Sequence, residues 1–293
     1  MVRDLFDGEA MARIMSLVFM VFMVVPVLAP AVGQAVLWFA PWRAIFLVLA
    51  AYGLAMLVWS WVRLPETLHP EYRRSLNWRE VGTGIGQTLR ERQSLGYTVA
   101  LTAVFGALTA YIASIQQIVF DAFRQPDALP LVFAVIAAPM ALASWLNSRI
   151  VERFGLRSVG HLGLVAFAAI ALAHAGLAAS IDEPLWLFVM LQGMAMAAFA
   201  FTSANLSTLA MEHMAPIAGT ASSVQGVVGT IGGAALGLAI GQAFDGTPLP
   251  FLVGTAACGL GGLVLTLITE KGRLMRDPPQ PAQLTEDMIR FPD

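Results

Sequence analysis

A few hydrogen-bonding side chains recur at helical spacing inside runs that are otherwise apolar. Thr98, Thr102, Thr109 and Gln116 stand four, seven and seven residues apart, so 3.6 residues per turn puts them within about 40° of one another. Such a stripe either faces protein or a water-filled cavity, where it can orient a bound molecule, or hides its threonines against their own helix carbonyls. Tyr111 lies on another face of the same run. Farther on, Gln192, Thr202, Ser203 and Asn205 share a run with Met190, Met194, Met196, Phe199 and Phe201. Flexible thioethers beside aromatic rings suit apolar ligands of differing shape, and they also fill ordinary helices. The chemistry on offer is recognition by hydrogen bonding rather than bond breaking. The chain has no HExxH, no paired carboxylates in its apolar runs and no histidine-rich helix, so no catalytic residues are assigned and an enzyme is not expected. Cys258 is the sole cysteine and lies in an apolar run, which excludes disulfide frameworks and cysteine-ligated zinc; no cofactor is expected. His174 has no acidic residue within any apolar run to pair with and reads as a packing histidine.

The elements that must carry these groups follow from composition. Hydrophobic residues make up 58% of the 293 and charged residues 12%, about half the charge of a soluble domain, so the solvent is lipid. A net charge of −2 gives no reason to expect nucleic acid. Windows free of Asp, Glu, Lys and Arg run over 14–42, 44–62, 93–120, 128–148, 158–181, 184–211, 213–244 and 246–269. Each reaches the ~20 residues that cross the hydrocarbon as a helix, so the fold class is an all-α membrane protein with eight transmembrane helices. The mixed charges before residue 14 and the length of the first window argue against a signal peptide. Basic residues fall on alternate connections, with only Arg43 and Arg124 on the opposite ones, so the positive-inside rule puts both termini and the long polar stretch 64–94 in the cytoplasm.

Within this frame, Pro26, Pro30 and Gly33 predict a bent, closely packed first helix. NWREVGTGIGQTLRER, in the polar stretch, is either a short surface helix or a solvated connection. NSRIVERFGLRSVG is a tight basic turn in which Arg149, Arg153, Gly155 and Arg157 either grip acidic ends of neighbouring helices or serve as an anchor. Gly229, Gly233, Gly237 and Gly241 recur every fourth residue, three overlapping GxxxG units for backbone-to-backbone packing, and Gly254, Cys258, Gly262 and Thr266 repeat that spacing in the last window. Residues 271–293 read as a disordered, proline-rich cytoplasmic tail.

VRDLF with ARIMSLVFMVFMVVPVLAPAVGQ, WRAIF, LPETL, LTAYIAS, NSRIVERFGLRSVG, AGTASSVQG and GQAFDGTPLP, in this order, resemble the drug:proton antiporters of the bicyclomycin and chloramphenicol resistance type within the major facilitator superfamily. The resemblance runs over nearly the whole chain. It implies a partial major facilitator fold: residues 1–62 as the remnant of an N-terminal half-bundle (the end of helix 4, helices 5 and 6), 63–94 as a cytoplasmic central loop, and 95–270 as a complete C-terminal six-helix half. Counterparts of the first three helices and nearly all of the fourth are not seen. A truncated gene product or a start placed at an internal methionine is therefore expected, and upstream nucleotide sequence would tell. The basic turn lacks an acidic residue found in fuller versions of that loop.

The function so implied is multidrug efflux across a bacterial inner membrane by alternating access coupled to proton influx, with this chain itself in question as a transporter. Small lipophilic drugs and protons are the expected partners. Thr109, Tyr111, Gln116, Gln192, Thr202, Asn205 and Gln225 are the expected drug contacts. No acidic residue lies within the eight windows to mark a proton-coupling site. The alternative is a non-transporting membrane protein that pairs through small-residue helix faces with itself or a homologue.

Overall fold

The computed structural model describes residues 32, 33, 35–64, 78–214 and 217–275; among these it is helical throughout, apart from short turns. Among the described residues, seven helices of 21 to 31 residues are apolar and long enough to cross a bilayer, and they coincide with seven of the eight expected windows. Most of the window at 14–42, with Pro26 and Pro30, lies outside the described residues, as do 65–77 and 276–293. Gly33 is described and has no neighbour within 4 Å of a built Cβ.

We number the main helices α1 (Arg43–Arg63), α2 (Trp78–Arg90), α3 (Arg92–Gln117), α4 (Leu129–Phe154), α5 (Leu156–Ala178), α6 (Leu185–Met211), α7 (Ala218–Gln242) and α8 (Leu249–Thr269). Local chemistry sets their ends. α1 stops at Leu64, which is extended (φ −86°, ψ 109°), as the residue before a proline must be. Glu91 caps α3 by accepting from the Ser94 amide. A π-turn, Ile118–Ala122, closes α3, and Pro184 and Pro248 stand immediately before α6 and α8.

α3 and α6 form the axis of a six-helix body. α3 packs on α6, α7 and α8; α6 packs also on α4 and α5; and α5 packs on α8. Exchanging α3 with α6, α4 with α7 and α5 with α8 returns the same set of main pairs. Each triplet has three spans, so the second starts from the opposite side of the membrane, and the body is built as an inverted repeat. α1 buries no residue among those described.

The helices touch through glycine. A Cβ on Gly232, Gly233 or Gly237 of α7 would stand 2.5–2.7 Å from Thr102, Phe105 or Thr109 of α3. Gly262 of α8 faces Val104 of α3, and Gly259 faces Ala168 of α5. The two small-residue stripes therefore serve mainly α3 and α5, with Gly254 against Ile240 one of the few contacts between α7 and α8. Gly229 has open space around it.

Two connections differ from a reading that ends helices where charge begins. The tight turn within Asn147–Arg157 is a single residue: α4 runs to Phe154, α5 starts at Leu156, and only Gly155 between them leaves the helix. Gly155 has φ 79° and ψ 154°, a conformation essentially reserved for glycine. Gly155→Ala is expected to cost about 1–3 kcal/mol of stability. Cys258, a buried free thiol, provides the readout by reacting with a maleimide dye as the bundle unfolds. The polar stretch contains a helix, α2, whose buried Gly84 and Thr88 lie one turn apart, Gly84 facing Thr220 at the start of α7.

Candidate functional site

Gly155 lets α5 begin at once, so Arg157 falls in its first turn and points into the bundle with its side chain 4% exposed. Its guanidinium is shared between two helix ends. Nη2 and Nη1 donate to the two oxygens of Glu212, at 2.6 and 3.3 Å, and Nε donates to Oε1 of Glu270 at 3.4 Å. Glu212 and Glu270 directly follow the last residues of α6 and α8. The cation thus also meets the negative ends of two helix dipoles.

Glu270 continues the network. The Tyr97 hydroxyl of α3 donates to Glu270 Oε1 and lies 2.9 Å from Nε2 of His161, while the Met275 amide donates to His161 Nδ1 at 3.0 Å. Because Nδ1 accepts, the proton of a neutral ring sits on Nε2 and is donated to the tyrosine oxygen, whose own proton goes to the carboxylate. Tyr97 and His161 are fully buried. One continuous set of hydrogen bonds therefore ties α3, α5, α6, α8 and the segment after α8 at a single end of the body.

The other residues of the basic turn stay outside: Arg149 lies over the Trp145 ring (5.2 Å) and Arg153 over Phe154 (5.5 Å), both exposed. The acidic partners of Arg157 come from the ends of α6 and α8. Acidic helix ends are one of the two readings of the turn's partners, with neither Glu212 nor Glu270 named; Tyr97 and His161 were not anticipated. The signal available was that Glu212 and Glu270 close apolar windows on the side where the arginines gather.

The residues expected to contact a ligand are spread out. Gln225 donates to Ser94 Oγ (3.2 Å) and the Ala210 carbonyl (3.1 Å), near the start of α3 and the end of α6. Gln116 is exposed 22 residues beyond Ser94, ~33 Å farther along α3. Asn205 is buried and donates to Asn147 Oδ1 and the Phe201 carbonyl, both at 2.7 Å. Thr202 bonds Ala198, and Thr109 donates to the Gly233 carbonyl across the α3–α7 contact at 2.6 Å. Thr98 and Thr102 likewise bond their own helix, so the stripe from Thr98 to Thr109 turns its hydroxyls to backbone carbonyls and Gln116 alone of the four is exposed. The Tyr111 hydroxyl and Gln192 Nε2 are buried with no partner among the described residues. At the end of the bundle opposite Arg157, a cleft of ≈ 420 Å³ between α4 and α6 is lined mostly by apolar side chains, including Leu131, Val135, Trp186 and Met190, with Gln125 at its edge.

The sequence profile of the Major Facilitator Superfamily matches residues 1–237. The chain belongs to the Major Facilitator Superfamily. Among its relatives, the bicyclomycin resistance protein homolog of Haemophilus influenzae is 28% identical over 88% of this chain and 65% of its own length. The uncharacterised MFS-type transporter YdgK of Bacillus subtilis is 29% identical over 94% of this chain and 63% of its own, and the multidrug resistance protein MdtL of Klebsiella pneumoniae 24% identical over 97% and 69%. The chain spans just under two thirds of the length of the first two. As a member of this superfamily it is a membrane protein with a partial major facilitator fold, and its helices α3–α8 make the six-helix body described above.

One membrane histidine of this superfamily chain has a partner that the apolar windows conceal. His174 Nε2 lies 2.9 Å from Glu183 Oε1, with side chains 1% and 2% exposed. Glu183 falls in the gap between the windows 158–181 and 184–211, so a search within windows passes over it.

Proposed function

We propose that this chain is part of a transporter that expels small lipophilic drugs across a bacterial inner membrane by alternating access, in exchange for protons, with both termini and the Arg157 cluster on the cytoplasmic side. Residues 63–94 are the linker between halves in this reading, and 95–270 are a complete half. The observation that carries it is the inner network. Rocking one half against another requires each half to move as a rigid body, and the bonds from Arg157, Tyr97 and His161 join four of the six helices at one end. The names of the relatives, bicyclomycin resistance and multidrug resistance, support the substrate class. The apolar cleft near Met190, together with the unpartnered Tyr111 hydroxyl and Gln192 amide, suits lipophilic molecules that need few hydrogen bonds.

The test is accumulation of a lipophilic dye in everted vesicles carrying the chain under an imposed proton gradient; no accumulation above empty vesicles would remove the reading. Two ligand candidates should separate in the same assay. Gln116→Ala is expected to lower dye binding and leave the Cys258 unfolding midpoint unchanged, because Gln116 is exposed. Asn205→Ala is expected to cost about 1–2 kcal/mol of stability, because Asn147 loses its buried donor.

A second reading, helix pairing without transport, is favoured by α1, which offers its whole apolar surface among the described residues. It has less support from the glycine stripe, since Gly233 and Gly237 already hold α3. Crosslinking in the membrane that yields only monomers would count against it.

A further inference from the structure

At the end of the bundle opposite Arg157 lies a second buried ionisable pair, which the inner network does not use. His174 is in the last turns of α5; Glu183 follows a short turn and stands immediately before Pro184 at the start of α6. One carboxylate oxygen of Glu183 meets His174 Nε2 at 2.9 Å, and the other, Oε2, is buried with no partner among the described residues. The surroundings are apolar. The Phe188 ring of α6 is centred 5.4 Å from the imidazole, 5.4 Å from Phe123 after α3 and 6.3 Å from Phe251 of α8.

Among the described residues, no fixed cation compensates the pair. Neither α6 nor α8 carries a charged residue at this end; Thr255 of α8 is buried and polar, but neutral. The charges of the neighbouring connections, Asp121, Arg124, Asp127, Asp182 and Asp245, are all exposed. Asp245 is engaged by the hydroxyl and amide of Thr247, which hold its carboxyl below the usual range. Charge arithmetic then defines the ligand. A neutral imidazole with a carboxylate leaves a net −1 in an aromatic enclosure; one added proton makes the pair neutral, as imidazolium and carboxylate or as imidazole and carboxylic acid. Burying a net charge costs far more than burying a neutral hydrogen-bonded pair.

We propose that His174 and Glu183 form a proton-binding site at the outer end of the bundle, occupied by one proton while that end is closed and exchanging it with external water when the turn at 179–183 lifts. Its timing rests on the alternating-access reading; the site itself does not. The proton comes from the outer solution and returns to water by the same route or is passed on as the helices move. No other bond is made or broken. External acid therefore favours the closed outer end, and deprotonation favours opening, where water solvates the carboxylate.

The test is infrared difference spectroscopy of the full chain purified in detergent, titrated from mildly alkaline to mildly acidic solution. A protonated-carboxyl band is expected to grow in, or imidazolium bands in its place if the proton rests on the ring. Glu183→Gln should abolish a carboxyl band and His174→Gln should abolish imidazolium bands, and each variant should alter the titration of the group that remains. A titration unchanged in both variants, or in His174→Gln alone if the other does not fold, overturns the proposal. Dye binding measured on the same samples separates the two readings. A titrating pair without dye binding leaves the proton site standing and removes the transporter, whereas dye binding with no signal from the pair removes only the proton site.

Discussion

Replacing Arg157 with alanine is expected to lower stability by about 3 kcal/mol and to abolish dye accumulation in everted vesicles. Removing one partner from a buried ion pair typically costs about 3–5 kcal/mol, because the remaining charge stays withdrawn from water. The lower end applies here: the Glu212 side chain is 36% exposed and can recover hydration, whereas Glu270, at 11%, can do so less. Lysine should rescue only part of the loss, since a point charge cannot serve both oxygens of Glu212 and Glu270 from one planar group. Pairing Arg157→Ala with Glu212→Gln should destabilise less than the sum of the single changes, because the second removes a charge that the first leaves uncompensated. Reaction of Cys258 with a maleimide dye during a temperature ramp gives the stability readout; the thiol is buried on α8, about 18 Å along the helix from Glu270. An Arg157→Ala chain with the parental midpoint and parental accumulation would show that the network is incidental.

The arginine was visible in the sequence, and its partners were legible only as acidic helix ends and not by residue, for a definable reason. Counting uncharged windows treats every carboxylate as a boundary, and Glu212, Glu270 and Glu183 all sit at such boundaries. Helix ends are also where side chains can turn back into the bundle and where dipoles reward ionic contact, so the boundaries hold the chemistry that the windows lack. Tyr97 and His161 gave no signal because nothing in the sequence pairs them, and only the meeting of Tyr97 on α3 with His161 of α5 and Glu270 after α8 explains why both are satisfied.

The helices themselves were legible because the bilayer imposes length and internal hydrogen bonding on them. Their ends were less so: α4 continues six residues past its window, lifting Arg149 and Arg153 on helix rather than loop. The threonine stripe of α3 admitted two readings because threonine satisfies itself within a helix as readily as it meets a ligand. Which helix would fill the glycine stripe of α7 was open for a similar reason. Small residues announce that a neighbour comes close, but their spacing does not name the neighbour, and α3 rather than α8 proves to be the main one.

That assignment sets the last expected result: alanine at Gly237 should destabilise the chain, and alanine at Gly229, on the same stripe, should not. A Cβ at Gly237 would lie 2.6 Å from Thr109 Oγ1, 2.9 Å from its Cβ and 3.0 Å from the Ala110 amide nitrogen. Relief requires α3 and α7 to separate, which weakens the 2.6 Å bond from Thr109 to the Gly233 carbonyl. Overpacking of this kind costs about 1–3 kcal/mol, against about 1 kcal/mol regained from the better helix propensity of alanine. Gly229 has nothing within 4 Å of its built Cβ, so only the propensity gain applies and its midpoint should hold or rise. Thr109→Ala made together with Gly237→Ala should restore part of the loss, but not all, because the Ala110 backbone remains in the way. Equal effects at Gly229 and Gly237 would mean that the stripe is read by lipid or by another chain instead of α3, since in a bilayer close packing rather than a hydrophobic gradient holds two helices together.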